Sequence, residues 1–545
     1  MKTSITNIKK LILSATLLPS LLLPSLWLPR LLWANEVEYS EKDYRNFSTY
    51  SDIGYDQALR PQFHFTSQKN WLNDPNGMVY YDGEWHMYFQ HNPTKNETGI
   101  KAWGNAKSTD LIHWKQYPHA LIPYPNIYGK NHIHSIWSGS AVVDEHNALG
   151  LQKGKVKTLY AQYTATNPGG FFQGAAVSTD KGRTWELLND GKPVIPFQKG
   201  FTRGQRDPRL FYYAPDQCYF MIMMIGGKDR AVRLWKSKDL QTWDIAFDIH
   251  GKAAECIDMY ILPVDGDSNH MKWVISDANT KYEVGDFDGK SWKGMGEVDE
   301  SGNRLKYDYG DSYYAAQAFN QGPEGRVVHV GWLRSKKIYR PFLDAKMPFT
   351  QQMSIPAEIT LRKTPEGIRM FRNPVKEIEK LYAKTHRISE KSLAQTHERL
   401  SSIRAELVDM TLEFEPSSDL TLHVRGLPIH YHKDKSQFSF VNVQWAAALE
   451  REMKTANEKQ KKRLPKFKKG QVPGMSVVPA PTVDGKVRLR VLVDRVSLEL
   501  FVNDGQAAAS IVTVPDAKNR SIEIKGKGAQ VIRSVVVNEL KSIWK

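Results

Sequence analysis

Three acidic residues stand in settings that could do chemistry, and the first is the most informative. In Asn70-Trp71-Leu72-Asn73-Asp74-Pro75-Asn76-Gly77 a carboxylate, three carboxamides and an indole share one short run. Pro75 fixes φ and lacks a donor, and Gly77 tolerates φ > 0, so the run reads as a tight turn holding Asp74 on a rigid corner. An indole can stack on the C–H face of a sugar, carboxamides can read hydroxyls, and a carboxylate can attack or stabilise a cationic sugar ring. An Asx-turn joining two strands accounts as well for an isolated Asn-Asp-Pro, so the reading depends on partner carboxylates elsewhere. Arg206-Asp207-Pro208 supplies one. Its guanidinium is expected to lower the Asp207 pKa and keep that group ionised, as charge stabilisation requires. Glu255-Cys256, after Ala253-Ala254, supplies the other. Partial desolvation there is expected to raise the Glu255 pKa and keep it protonated, as a general acid must be.

The elements around these residues repeat. Ser108-Thr109-Asp110 leads to Trp114, Ser178-Thr179-Asp180 to Trp185, and Ser237-Lys238-Asp239 to Trp243, with a weaker echo from Asp286-Phe287-Asp288-Gly289 to Trp292. Each copy lies between segments that alternate in β fashion, such as Leu159-Tyr160-Ala161-Gln162-Tyr163, and helical periodicity is nearly absent from Phe63 to Leu361. A spacing of about 50 to 70 residues suits repeated sheet units, and closing them around an axis gives a β-propeller of about five blades. A series of β-sandwiches with fortuitous turns is the alternative. The pattern turns briefly helical over 373–381, then reads as a second, β-sandwich domain in which Asn503-Asp504-Gly505 marks a hairpin. The expected organisation is a signal peptide (1–34), a linker (35–60), a propeller (61–365), a linker (366–385) and a sandwich (386–545) with a basic insertion near 446–475.

The chain has 545 residues, too many for one ordinary core, and its 15 Trp suit a carbohydrate-binding protein. Lys2, Lys9 and Lys10 followed by the apolar run Leu11 to Leu28 and a small-residue exit near Ala34 form a secretory signal pattern, with an uncleaved anchor as the alternative. Nothing later is long and apolar enough to span a bilayer. The two cysteines, Cys218 and Cys256, allow one disulfide at most. The formal charge is +16, and much of what remains beyond the N-terminal segment sits in Arg451 to Lys469. That run reads either as a solvated insertion or as a patch for anionic surface polymer. Export argues against a nucleic-acid partner.

With these residues assembled, the chain resembles glycoside hydrolase family 32, the β-fructofuranosidases that include levanases, inulinases and invertases. The markers are His64-Phe65-Thr66 leading into Trp71 to Gly77, Tyr88-Phe89-Gln90, Trp103-Gly104, Trp137-Ser138-Gly139-Ser140, Arg206-Asp207-Pro208, Glu255-Cys256, Tyr313-Tyr314-Ala315-Ala316 and Gly331-Trp332. The resemblance implies an all-β chain with a five-bladed propeller followed by a β-sandwich. It implies Asp74 as nucleophile, Asp207 as transition-state stabiliser and Glu255 as acid/base. It also implies sugar contacts from Trp71, Asn73, Gln90, Trp103, Trp137, Ser138, Arg206 and Trp332. No cofactor or metal is called for. Retention through a covalent fructosyl-enzyme would need the Asp74 and Glu255 carboxyls about 5–5.5 Å apart.

The chain departs from the family at Ser67, Asn105 and Ile257, and a Trp-Arg pair is missing from Pro348-Phe349-Thr350-Gln351-Gln352-Met353-Ser354. These positions concern the rim beyond the first sugar. The expected function is secreted hydrolysis of terminal fructosidic bonds in levan, inulin or sucrose. A fructosyltransferase, a non-catalytic fructan binder and a glycosidase of arabinose or xylose polymers are the competing readings.

Overall fold

The computed structural model describes residues 53–544 except 126, 128–131, 199–203, 227–230, 252–253, 336–337, 463, 468–469 and 528–530. The signal-peptide segment and most of the first linker therefore lie outside the described residues. Five antiparallel units of four strands follow one another along the chain. They begin with the strands Asn70–Tyr81, Ile136–Val143, Arg206–Tyr213, Asp258–Val264 and Tyr313–Ala318. Each of these first strands packs on the next, and the fifth packs on the first, so the five units close a ring as a five-bladed propeller. Closure is reinforced where Phe349–Thr350 adds to the first blade in parallel with Asn70 and Trp71.

The Ser-x-Asp…Trp repeat is the turn between the third and fourth strands of a blade. Asp110 accepts from the Ile112 and His113 amides, Asp180 from Arg183 and Thr184, and Asp239 from Gln241 and Thr242. These Asx-turns aim each Trp at the preceding blade. Trp185 meets Tyr88 edge-on at 5.6 Å, and Trp114 stacks on Phe319 of the fifth blade at 6.2 Å. The repeat visible in the sequence is thus the device that docks one blade on another.

Buried polar groups tie the axis together. Arg209 pairs with Asp258 at 2.7 Å and donates to the Ala318 carbonyl, linking the third, fourth and fifth blades. The Asn320 carboxamide donates to the Ala141 and Leu210 carbonyls of the second and third.

The C-terminal part is a sandwich of a six-stranded sheet, edged by Tyr382–Ser392 and Ala507–Val512, and a five-stranded one, edged by Met475–Pro479 and Ile522–Gly526. Asn503-Asp504-Gly505 forms the turn between Ser497–Val502 and Ala507–Val512. The sandwich joins the propeller through charge that is wholly buried. His64 lies 2.8 Å from both Asp494 and Glu499, and Arg372, paired with Asp308 within the propeller, donates to the Ser510 hydroxyl of the sandwich at 2.9 Å.

Three expectations change. Residues Asn70–Tyr81 form one strand and not a turn, because register shifts between Leu72 and Pro75 and between Asn76 and Val79 absorb Pro75, a residue that sheets accept at bulges. The stretch 366–385 is mostly not a linker: Gly367–Pro374 is the last strand of the fifth blade, and Tyr382 opens the sandwich. Only the 3-10 helix Lys376–Leu381, where the pattern turned helical, lies between them. Cys218 and Cys256 are both free and buried, so the permitted disulfide is absent.

Candidate active site

The first strands carry matching irregularities where they meet the axis. Register shifts fall between Leu72 and Pro75, Ile136 and Gly139, Arg206 and Arg209, and Tyr314 and Gln317. The residues left over are Asn73-Asp74, Trp137-Ser138, Asp207-Pro208 and Ala315-Ala316. A bulge re-aims a side chain that regular pleating would send into a neighbouring blade. The fourth blade reaches the same level through Glu255-Cys256, just before Asp258–Val264, with Cys256 at φ 48°. Asp207 also has positive φ, 61°, a conformation costly for a residue with a side chain and held here by the surrounding blades.

These irregularities open one pocket of about 460 Å³ lined by Asp74, Asp207 and Glu255. Trp71, Trp137 and Trp332 form its aromatic walls, and Asn73, Gln90 and Arg206 are among its polar groups. Asp74 accepts from Gln90 at 2.9 Å and from Ser138 at 3.1 Å, and Gln90 also donates to the Ser138 hydroxyl. Ser138 is wholly buried and acts through these two partners. Trp71 donates to Asn73 at 2.9 Å and meets Trp332 edge-on at 5.9 Å. Glu255 accepts from the Tyr314 hydroxyl and lies 2.5 Å from the Arg206 guanidinium, whose Nε is 3.4 Å from Asp207. Asp207 also accepts from the Cys256 amide at 3.3 Å.

Proton affinities differ from the expectation at both acids. Burial pushes the Asp207 pKa up to about 7, because desolvation together with the nearby Glu255 and Asp74 outweighs the pull of Arg206. Glu255 is held below its ordinary value. Burial raises it, but hydrogen bonds from Tyr314 and Arg206 and the charge of Arg206 more than compensate. Asp74 is raised by burial and by Glu255, against hydrogen bonds from Asn73 and Ser138 and the charge of Lys101. The guanidinium beside Asp207 in sequence is thus shared in space with Glu255, to which it makes the shorter contact.

Trp103 does not reach the pocket. It is wholly buried against Tyr88 and Tyr163, and its indole N–H donates to the Trp137 carbonyl at 2.8 Å. It supports the aromatic wall from behind. A Cβ on Gly77 would lie 2.6 Å from the same indole, which is why that position has none.

Five lining residues were not foreseen as site residues: Thr98, Lys101, Tyr314, Arg334 and Ser335. Lys101 is buried, donates to Thr98 at 2.7 Å and lies 5.4 Å from the centre of the Trp137 ring. The Arg334 guanidinium lies over the Tyr314 ring at 3.7 Å and so braces the residue that holds Glu255. Tyr313 and Tyr314 are indistinguishable in sequence, yet Tyr313 is buried in the blade while Tyr314 faces the pocket.

Carboxyls drawn from three blades onto one aromatic-walled pocket place the chain among the glycosidases, which cleave acetals between paired acidic groups. The sequence narrows this class. Residues 64–374 match the glycosyl hydrolases family 32 N-terminal domain and residues 377–541 the family's C-terminal domain. The chain belongs to glycoside hydrolase family 32. It is 33% identical to a levanase of Bacillus subtilis over 513 residues, covering 90% of this chain and 72% of that protein. It is 29% identical to an extracellular exo-inulinase of Aspergillus niger over 543 residues, covering 90% and 96%. Its fold is similar to that of the exo-inulinase of Aspergillus awamori, with a TM-score of 0.75 at 24% identity over 90% of this chain and all of that one.

Proposed function

We propose that this protein is an exported, exo-acting fructan hydrolase that releases fructose from chain ends with retention of configuration. The observation that carries the reading is the convergence of Asp74, Asp207 and Glu255 from separate blades on one pocket, with Arg206 reaching two of them. Asp74, ionised and oriented by Gln90 and Ser138, attacks the anomeric C2 of a terminal fructosyl unit. Glu255 gives its proton to the departing glycosidic oxygen, and a covalent fructosyl-enzyme forms. Glu255 then takes a proton from water, which attacks C2 and frees Asp74. Asp207 binds ring hydroxyls and opposes the positive charge that develops in both steps.

Tyr314 and Arg206 by themselves favour the carboxylate form of Glu255. A sugar that takes up donors of Arg206 and expels water removes that bias, and burial then favours the protonated acid. Trp71, Trp137 and Trp332 supply stacking surface, while Asn73 and Arg206 read hydroxyls. Sequence similarity to the levanase and the exo-inulinase supports fructan as the substrate. The N-terminal signal pattern supports export, and no helix among the described residues is long and apolar enough to cross a membrane.

A chromatographic time course with levan, inulin and sucrose tests the reading. Free fructose as the only early product, fastest from one polymer, is expected. Longer fructosyl products at early times would replace hydrolysis by transfer, and no product from any of the three would refute the assignment.

A further inference from the structure

The strands Gln437–Val441 and Met475–Pro479 pair directly, with Val441 opposite Met475, so a hairpin turn of a few residues would join them. The chain instead leaves the sheet at Asn442 and returns at Gly474, where the Asn442 amide donates to the Gly474 carbonyl at 2.9 Å. The sandwich does not need the intervening segment to close. That segment is nevertheless firmly held. Its main helix, Val443–Thr455, is capped by Asn442, which also donates to the Val512 carbonyl at 2.8 Å. Gln444 donates to the Val514 carbonyl at 2.7 Å and accepts from the Tyr339 hydroxyl at 2.6 Å. Trp445, Ala448 and Leu449 are buried in a cluster with Tyr339, Phe342 and Val512. Tyr339 is only four residues beyond Ser335 of the pocket wall, a span of at most about 14 Å.

What this platform presents outward is positive charge. Residues 443–472 contain nine lysines and arginines against three glutamates. Glu450 and Glu458 are taken by Lys454 at 2.7 Å and Lys461 at 3.0 Å. Arg451, Lys459, Lys462 and Lys466 are exposed and have no acidic partner among the described residues.

We propose that this insertion is a docking surface for an anionic polysaccharide, which holds the enzyme at a matrix while the neighbouring pocket works. Fructans are neutral, so the charge is no extension of the substrate pocket. The helix turns Trp445, Ala448 and Leu449 to the protein body and leaves only Val443 and Met453, ten residues apart, exposed, too little for the continuous apolar face that enters a lipid surface. Trp445 and Phe467, the aromatic residues of 443–472, meet edge-on at 6.1 Å and pack on the core cluster, so the insertion offers no exposed ring on which nucleic-acid bases stack. Lysines, hydrated point charges without a fixed fork, suit a flexible polyanion bound in many registers.

The test uses the full chain and the variant R451Q/K459Q/K462Q/K466Q, with polygalacturonate as the probe at about 50 mM and about 300 mM salt. The parent is expected to bind at low salt and to be released at high salt. The variant is expected to lose affinity at least about tenfold while its Tm and fructoside turnover stay at the parent's values. Equal affinity of variant and parent would overturn the proposal. So would absence of binding by the parent, or a preference for phosphatidylglycerol vesicles or single-stranded DNA over the polymer.

Discussion

Arg206 stands next to Asp207 in the chain, yet its shortest contact is 2.5 Å to Glu255, forty-nine residues further on. The pairing holds Glu255 as a carboxylate before substrate arrives, and Tyr314 reinforces it from the other oxygen. The kcat/KM of a glycosidase falls at high pH as the general acid of the free enzyme loses its proton. Tyr314→Phe removes a donor to the Glu255 carboxylate and therefore raises its pKa. The basic limb of the kcat/KM profile is expected to move up by about one pH unit. A limb that stays in place would show that Tyr314 does not govern the proton donor.

Lys101 acts on the opposite limb. Its buried ammonium favours the ionised form of Asp74, the form a nucleophile needs. Lys101→Met should raise the Asp74 pKa and move the acid limb of kcat/KM to higher pH, and Lys101→Arg should move it back. A loss of activity with an unshifted limb would assign Lys101 to sugar binding alone.

The His64 site makes stability depend on pH. Burial opposes the charged ring, but Asp494 and Glu499 raise its pKa to about 9 in the folded protein, against about 6.5 unfolded. A pKa raised on folding gives stability that is complete below about pH 6.5 and is lost as pH rises through about 9. The contribution is about 3 kcal/mol. The pKa values of Asp494 and Glu499 are lowered on folding despite burial, so their share is lost on the acid side. Thermal melts should show Tm falling between pH 7 and pH 10, and His64→Gln should be less stable at pH 7 and lose that alkaline slope. An alkaline slope unchanged in the variant would place its origin elsewhere.

The two tryptophans assigned alike from sequence should separate by measurement. Trp103→Ala empties a buried site and should cost about 3–5 kcal/mol of stability. Trp71→Ala removes a pocket wall, so KM should rise while Tm changes little. Equal melting temperatures would return Trp103 to the pocket.

The blade repeat was legible because each blade uses the same Asx-turn and Trp, a local device with a fixed spacing. The carboxylates were legible because their neighbours, Trp71 and Asn73 around Asp74 and Arg206 before Asp207, carry chemistry within a few residues of each. What sequence could not supply was partnership across blades. Arg206 to Glu255, Arg334 to Tyr314, and Lys101 beside Asp74 depend on bulges at four strand starts, and a bulge shifts register by one residue without a marker of its own. The reversed proton affinities of Asp207 and Glu255 follow from the same gap, since burial and the nearest cation are properties of the ring. Trp103 shows the converse, a residue beside the site in sequence whose strand turns it into the core.

The most direct test of Asp74 as nucleophile uses Glu255→Gln with an activated fructosyl donor that leaves without protonation. Attack proceeds in that variant, but water is no longer deprotonated, so the covalent intermediate should accumulate. Mass spectrometry of the rapidly quenched protein should find one fructosyl unit, on the peptide containing Asp74. A fructosyl unit mapped to another residue, or turnover with inverted configuration and no adduct, would contradict the mechanism.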